Sequence, residues 1–258
     1  MGTNLIKGIL PLALFTLSFS AIAQRLPTVQ KISVFAPADI KVDGKANEWH
    51  NQFQAYNNAN DIYYTTANDN DNLYFVIRAK YSEVLDKIIR GGITITVNHS
   101  VSKKDPNAVS VTYPILRDND MTLVTSMIAR KSYPRANGDT SVTVQVDDLN
   151  QLMESKAKQI NITGIKSIAD SSISVYNSNG LKAAELFDNK MQYTCELAIP
   201  LKFLSLPAGQ PFGYQVKLNE PAAFKLVPGG KFPPPTVSTG GIKIATTDFW
   251  GEYTLAKK

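Results

Sequence analysis

Cysteine, histidine and tryptophan are nearly missing from this chain of 258 residues, which has one, two and two of them. A single cysteine, Cys195, closes no intramolecular disulfide, so packing must hold the fold together. The alternation Tyr193, Cys195, Leu197, Ile199 puts the thiol on an apolar face, where it acts as a small buried hydrophobe; a reactive thiol is the alternative. His50 and His99 each stand alone, with neither an i+4 partner nor a carboxylate at ligand spacing, so a zinc centre lacks its donor set. The patterns G-x-S-x-G, H-E-x-x-H and G-x-x-x-x-G-K-[ST] are absent. Pro228-Gly229-Gly230-Lys231-Phe232 lacks the spacing and the hydroxyl of a phosphate loop. Serine-hydrolase, zincin and nucleotide-binding chemistry lose their support together. Twenty-two acids offer many carboxylate pairs for glycoside hydrolysis, but no motif selects one.

Concentrated charge is lacking too. The net charge of +5 is spread over basic residues standing singly or in pairs, with no five-residue block to track a phosphate backbone, which argues against a nucleic-acid partner. Long apolar runs are equally scarce. The stretch Ile9 to Phe19 follows Lys7 and precedes Ala21-Ile22-Ala23, and it is too short for a bilayer span of about 20 residues. Small residues at the first and third places of that triplet fit a cleaved export signal over residues 1–23. The expected mature chain is 24–258, periplasmic or extracellular, with a balance of +4 once Lys7 is gone. No cysteine follows the cut, which argues against a lipoprotein.

What the chain does have is short alternating segments and turn residues. Asp43-Gly44 after Ile40 to Val42 favours a tight turn with positive φ, followed by Trp49 as a large ring to bury. Ile62 to Ala67 and Leu73 to Ile77, separated by Asn68-Asp69-Asn70-Asp71-Asn72, read as a hairpin. Ile32 to Phe35 reads as a first strand after a frayed arm at 24–30. Ser82 caps an expected helix over 83–90 that stops at Gly91. Strands are expected at 92–97, 109–113, 141–146, 160–165, 172–176, 182–187, 193–200, 212–219 and 249–255. Met121 to Ala129 fits strand or helix, and Asp148 opens an expected helix to about Lys158. Asn177-Ser178-Asn179-Gly180 reads as the turn of a hairpin. Nine prolines and glycines between Glu220 and Gly241 exclude a regular ladder there. This 220–241 loop is either a lid or partner loop with Phe232 as a contact, or an insertion with no ligand. Without an internal repeat or linker, residues 24–258 count as one domain.

The pattern I-x-V-D-G-x-x-x-E-W at 40–49, then A-N-D-x-D-N-L-Y-F at 67–75, resembles the opening of family 9 carbohydrate-binding modules and of the related DOMON-like β-sandwiches. Glu196-Leu197-Ala198-Ile199-Pro200-Leu201 is similar to a signature late in the same family. The resemblance implies an all-β fold, an antiparallel β-sandwich of immunoglobulin-like or jelly-roll-like type with one or two short helices. Asp43, Gly44, Trp49, Glu196 and Pro200 would frame it, with Glu48 a turn or cap residue and Glu196 facing solvent from its strand. It also implies non-catalytic binding of a glycan or other small ligand, beside polysaccharide-degrading partners such as glycoside hydrolases.

Members of the family typically clamp a sugar between two tryptophans, whereas Trp49 and Trp250 here sit inside strand-and-turn signatures and read as core. Tyr81, Tyr133 and Tyr176 are then the rings left to stack on a sugar, with Arg78 reaching a hydroxyl. Some relatives hold structural calcium, which makes Asp69 and Asp71 the metal candidates, although positions six and twelve from Asp69 are Tyr74 and Lys80 rather than the glycine and glutamate of an EF-hand. Two other readings remain open: a haem-binding DOMON-like module using His99 with Met121 or Met127, and an envelope interaction module docking a protein partner through the 220–241 loop.

Overall fold

A computed structural model describes residues 25–131, 141–220 and 245–258. The expected leader, Tyr133 and residues 221–241 of the Pro/Gly-rich loop lie outside these.

Period-two burial builds most of the described chain. The strands are β1 (Ala55–Asn57), β2 (Ile62–Asn68), β3 (Asn72–Ala79), β4 (Ile93–Val97), β5 (Val109–Tyr113), β6 (Gln159–Thr163), β7 (Ser172–Ser174), β8 (Lys182–Phe187), β9 (Tyr193–Pro200), β10 (Phe212–Leu218) and β11 (Thr247–Tyr253). They form a five-stranded sheet in the order β1-β2-β3-β9-β8 and a six-stranded sheet in the order β11-β10-β4-β5-β6-β7. Neighbouring strands pair antiparallel throughout, as in a β-sandwich. Alternate residues of both sheets meet in one core. Tyr64 and Phe75 of the first sheet pack on Tyr214 of the second with ring centroids 6.4 and 5.5 Å apart, and the hydroxyls of Tyr64 and Tyr214 lie 3.1 Å from each other. Tyr214 fits only because Gly251 stands opposite it on β11. A Cβ there would come within 2.3 Å of the ring.

Three helices accompany the sheets among the described residues: α1 (Ser82–Gly91), α2 (Asp118–Lys131) and α3 (Ser141–Lys156). One or two short helices were expected, and α3 replaces the strand expected at 141–146. Its buried residues Val146, Leu149 and Met153 recur at i, i+3 and i+7, a helical stripe that outweighs the local valine alternation. Asp148 is therefore an interior residue of α3 and not its cap. Tyr81, not Ser82, holds the N-cap position of α1.

The opening segment differs most from expectation. Residues 32–35 form no strand, only an isolated parallel bridge from Phe35 to Asn68. The arm before them is docked, because the buried Gln30 side chain takes the Thr66 N–H and donates to the Thr66 carbonyl, both at 2.7 Å, as a neighbouring strand would. Trp49 is buried, but outside the sandwich. It packs with Ala36, Ala46, Ala67, Tyr74, Val76 and Ala198 in a second cluster on the outer face of β2, β3 and β9. Trp250 is only half-buried on β11. The turn at 177–180 joins no hairpin, since β7 and β8 belong to different sheets and the turn carries the chain between them. Asn177 holds it by accepting from the N–H groups of Asn179 and Gly180.

Candidate functional site

Glu196 shows how the opening motif is held. β9 lies between β3 and β8 under the opening segment, so both of its faces are covered and Glu196 is buried, contrary to the solvent-facing position expected. Its carboxylate accepts from the backbone N–H groups of Asp43 (3.0 Å) and Gly44 (2.9 Å) and from Trp49 Nε1 (3.2 Å). Burial pushes its pKa up to about 7 against the pull of those three donors. Gly44 has φ +79°, and a Cβ there would lie 2.5 Å from the Glu185 carbonyl carbon. Pro200 ends β9 opposite Asn72. These residues frame the fold.

Beyond the area covered by Trp49, the outer face of the first sheet carries a ladder of rings and cations. The registers Tyr56↔Tyr63, Tyr63↔Arg78 and Arg78↔Thr194 place four side chains in one row across β1, β2, β3 and β9. They point outward because their neighbours Ala55, Ile62, Tyr64, Ile77 and Ala79 fill the core. Tyr56 and Tyr63 pack at 4.7 Å between centroids, Phe53 adjoins Tyr63 at 6.0 Å, and Lys80 Nζ stands 4.1 Å from the Tyr63 centroid. The Arg78 guanidinium lies over Phe53 at 4.9 Å, donating from Nε to Thr194 Oγ1 (3.0 Å) and from Nη2 to Asn51 Oδ1 (2.8 Å). Asn51 reaches it from a backbone with φ +54°, and His50 beside it has φ +52°. Two successive non-glycine residues held in that region are a local strain that the surroundings must stabilise. Tyr56 donates to Asp61 Oδ1 at 2.9 Å, and its pKa is raised by burial and by that carboxylate, so the phenol keeps its proton. Tyr81, exposed, stands at the end of β3 beside a groove of about 390 Å³ that Lys80, Lys190 and Met191 also line.

Tyr176 lies elsewhere. It is 72% exposed on the rim of a cleft of about 860 Å³ between β8 and α3, where Lys158 Nζ donates to its hydroxyl at 2.6 Å. The structure thus brings Arg78 and Tyr81 to one face and puts Tyr176 in a separate cavity; Tyr133 lies outside the described residues. Phe53, Tyr56, Tyr63 and Lys80 were not singled out from the sequence. Tyr63 was legible as an outward position of an alternating strand, but β1 was hidden in a polar spacer.

The metal and haem candidates are engaged locally. Asp69 Oδ1 accepts from the N–H groups of Asp71 and Asn72, and Oδ2 accepts from the Tyr74 hydroxyl at 2.7 Å. Its carboxylate is the hub of a turn, and Asp71 is exposed. His99 follows β4 and has Nδ1 2.7 Å from Asp105 Oδ2, whereas Met121 and Met127 are on α2, which packs on α1, the helix that enters β4 at its other end. No group of three or more metal-ligating side chains occurs among the described residues, and none of the helices searched is long and apolar enough to cross a membrane. No family model, no curated protein and no solved structure matches the chain.

Proposed function

We propose that this protein is an exported, non-catalytic glycan-binding module, of the family 9 carbohydrate-module or DOMON-like type, acting beside polysaccharide-degrading proteins. One observation carries the reading: the Tyr56–Tyr63–Arg78 row, with Phe53, Lys80 and Tyr81 alongside, is a set of partly open rings and hydrogen-bond donors fixed on adjacent strands. The C–H face of a pyranose packs on aromatic rings, while its hydroxyls need a few placed polar groups. Strands hold such groups more rigidly than loops, so little ordering cost remains for the ligand to meet. The row lies on an open sheet face, which suits a stretch within a polysaccharide better than a single enclosed sugar.

Affinity electrophoresis against soluble plant, fungal and bacterial polysaccharides, followed by calorimetry on any that retard the protein, tests the proposal. Tyr63→Ala and Tyr81→Ala each weaken binding by tenfold or more, while Tyr176→Ala leaves it unchanged. Failure of the whole panel to retard the wild-type protein, or unaltered binding by both face variants, overturns the reading.

A further inference from the structure

β8 is the outermost strand of the five-stranded sheet, and its free edge forms one wall of the 860 Å³ cleft. In an antiparallel ladder, alternate residues of an edge strand turn both the N–H and the C=O away from the paired strand. Which residues of β8 do so is fixed at two places. Asp188 N–H donates to the Gln192 carbonyl, which makes the next pair, Phe187↔Tyr193, one that exchanges no ladder bonds. Phe187 correspondingly gives its N–H to Asn150 Oδ1 (2.8 Å) and takes Asn150 Nδ2 on its carbonyl (2.9 Å). The same parity turns Glu185 and Ala183 outward. Their N–H and C=O groups have no partner among the described residues, and both residues line the cleft.

A sheet edge left open is a template for another strand, and proteins usually cover or charge such edges. Asn150 of α3 does so at Phe187, where its carboxamide imitates the peptide group of a neighbouring strand. Further along, α3 stands off and leaves the cleft. The open stretch Lys182–Leu186 is about 13 Å long at a strand rise of roughly 3.3 Å per residue, which suits a short extended segment. α3 and the 177–180 turn flank it, so the edge of a folded sheet, with its layers above and below, meets them before it reaches β8. Charge narrows the occupant further. Asp43, Asp147 and Glu154 line the cleft against one lining lysine, Lys182, while Lys158 is held on Tyr176. Glu185 Oε2, at the floor, is buried without a partner.

We propose that β8 is an acceptor strand: an extended, lysine- or arginine-bearing segment of a partner protein adds to its free edge in the cleft, pairing with the backbone of Ala183 and Glu185. This is β-augmentation, in which main-chain bonds give affinity and flanking side chains select the sequence. It is independent of the glycan reading, which uses the outer face of β1 to β3.

Three labelled hexapeptides test it: an alternating lysine–valine peptide, its glutamate–valine counterpart, and the lysine–valine peptide N-methylated at every residue, so that neither of its edges can donate. Fluorescence anisotropy gives affinity, and hydrogen exchange reads the amides of Ala183 and Glu185. The lysine–valine peptide binds at least tenfold more tightly than the other two and slows exchange at both amides by tenfold or more. Ala183→Pro removes only an outward N–H, a substitution that edge strands tolerate, and it abolishes that binding while the far-ultraviolet spectrum is unchanged. Should Ala183→Pro fail to fold, the N-methylated peptide carries the same test on the wild-type protein. Equal binding of the methylated peptide, or binding without protection at Ala183 and Glu185, means charge attraction alone and overturns the proposal, as does absence of binding.

Discussion

Two buried glutamates, Glu185 and Glu196, respond to pH in the sense opposite to a carboxylate whose pKa is lowered on folding. Burial lifts Glu185 from 4.5 to about 7, helped by a second acid, Glu154, and opposed by Tyr113 and Lys158. Between those values the folded chain keeps a proton that the unfolded chain releases. Stability therefore falls as pH rises through that window, and the loss is complete above about 7. Glu185→Gln has no such proton to lose. Urea titrations are expected to give equal stabilities for wild type and variant near pH 4, and a gain for the variant that reaches up to about 3 kcal/mol at pH 8. Glu196→Gln is expected to gain less. Its carboxylate serves three donors, and an amide turns an N–H toward either the indole or the two backbone N–H groups. That mismatch is expected to offset the gain at pH 8 by about 1–3 kcal/mol, the usual penalty of an unsatisfied buried polar group. The expectation of a solvent-facing Glu196, drawn from the family resemblance, presumes one open face on its strand. That premise fails on a strand covered on both faces, and the covering segment is more than a hundred residues away in sequence.

Among the elements, the opening segment from Gln30 to Phe53 has no strand of its own, yet it is fastened to the first sheet at both ends. Gln30→Ala is expected to release it at one end, and trypsin is then expected to cut after Lys31 several-fold faster while the spectrum of the sheets persists. At the other end Gly44→Ala forces a Cβ against the β8 backbone at a positive φ, and a loss of about 3 kcal/mol in thermal or urea unfolding is expected. The Asp43-Gly44 turn was legible because only glycine suits that geometry. The docked arm was not, because its fastener is a glutamine whose side chain acts as a strand, and no periodicity announces that. The first part of α3, 141–146, was misread for a related reason: its valines alternate locally, while its true stripe appears only when Leu149 and Met153 are counted with Val146.

The whole molecule is two layers plus a wrap. Its strands were largely legible because β4, β5, β8, β9 and β10 alternate or run apolar between turn residues, while the partition into sheets was not. Nothing near Asn177 says whether the next strand returns to the same sheet or crosses to the other. The candidate faces were partly legible: Arg78 and Tyr81 lie on one side of the first sheet, but Tyr176 lines a different cavity. Trp49 gives the wrap its own reporter. With Trp250→Phe removing the second indole, Trp49 fluorescence and the far-ultraviolet signal of the sheets are expected to lose structure at the same urea concentration. Separate midpoints mean that the wrap opens on its own.

Asn68 is where early and late parts of the chain meet. Its backbone bonds Val34 and Ala36, and its side chain takes the Ala256 N–H and the Tyr253 hydroxyl and donates to the Ala256 carbonyl. Asn68 is made 188 residues before that carbonyl exists. During synthesis, then, the end of β2 stays half-finished, and the clasp that joins residues 34–36 to 253–256 can close only after Ala256 has been made. Until that residue arrives, a polypeptide so arranged remains threadable and unlatched.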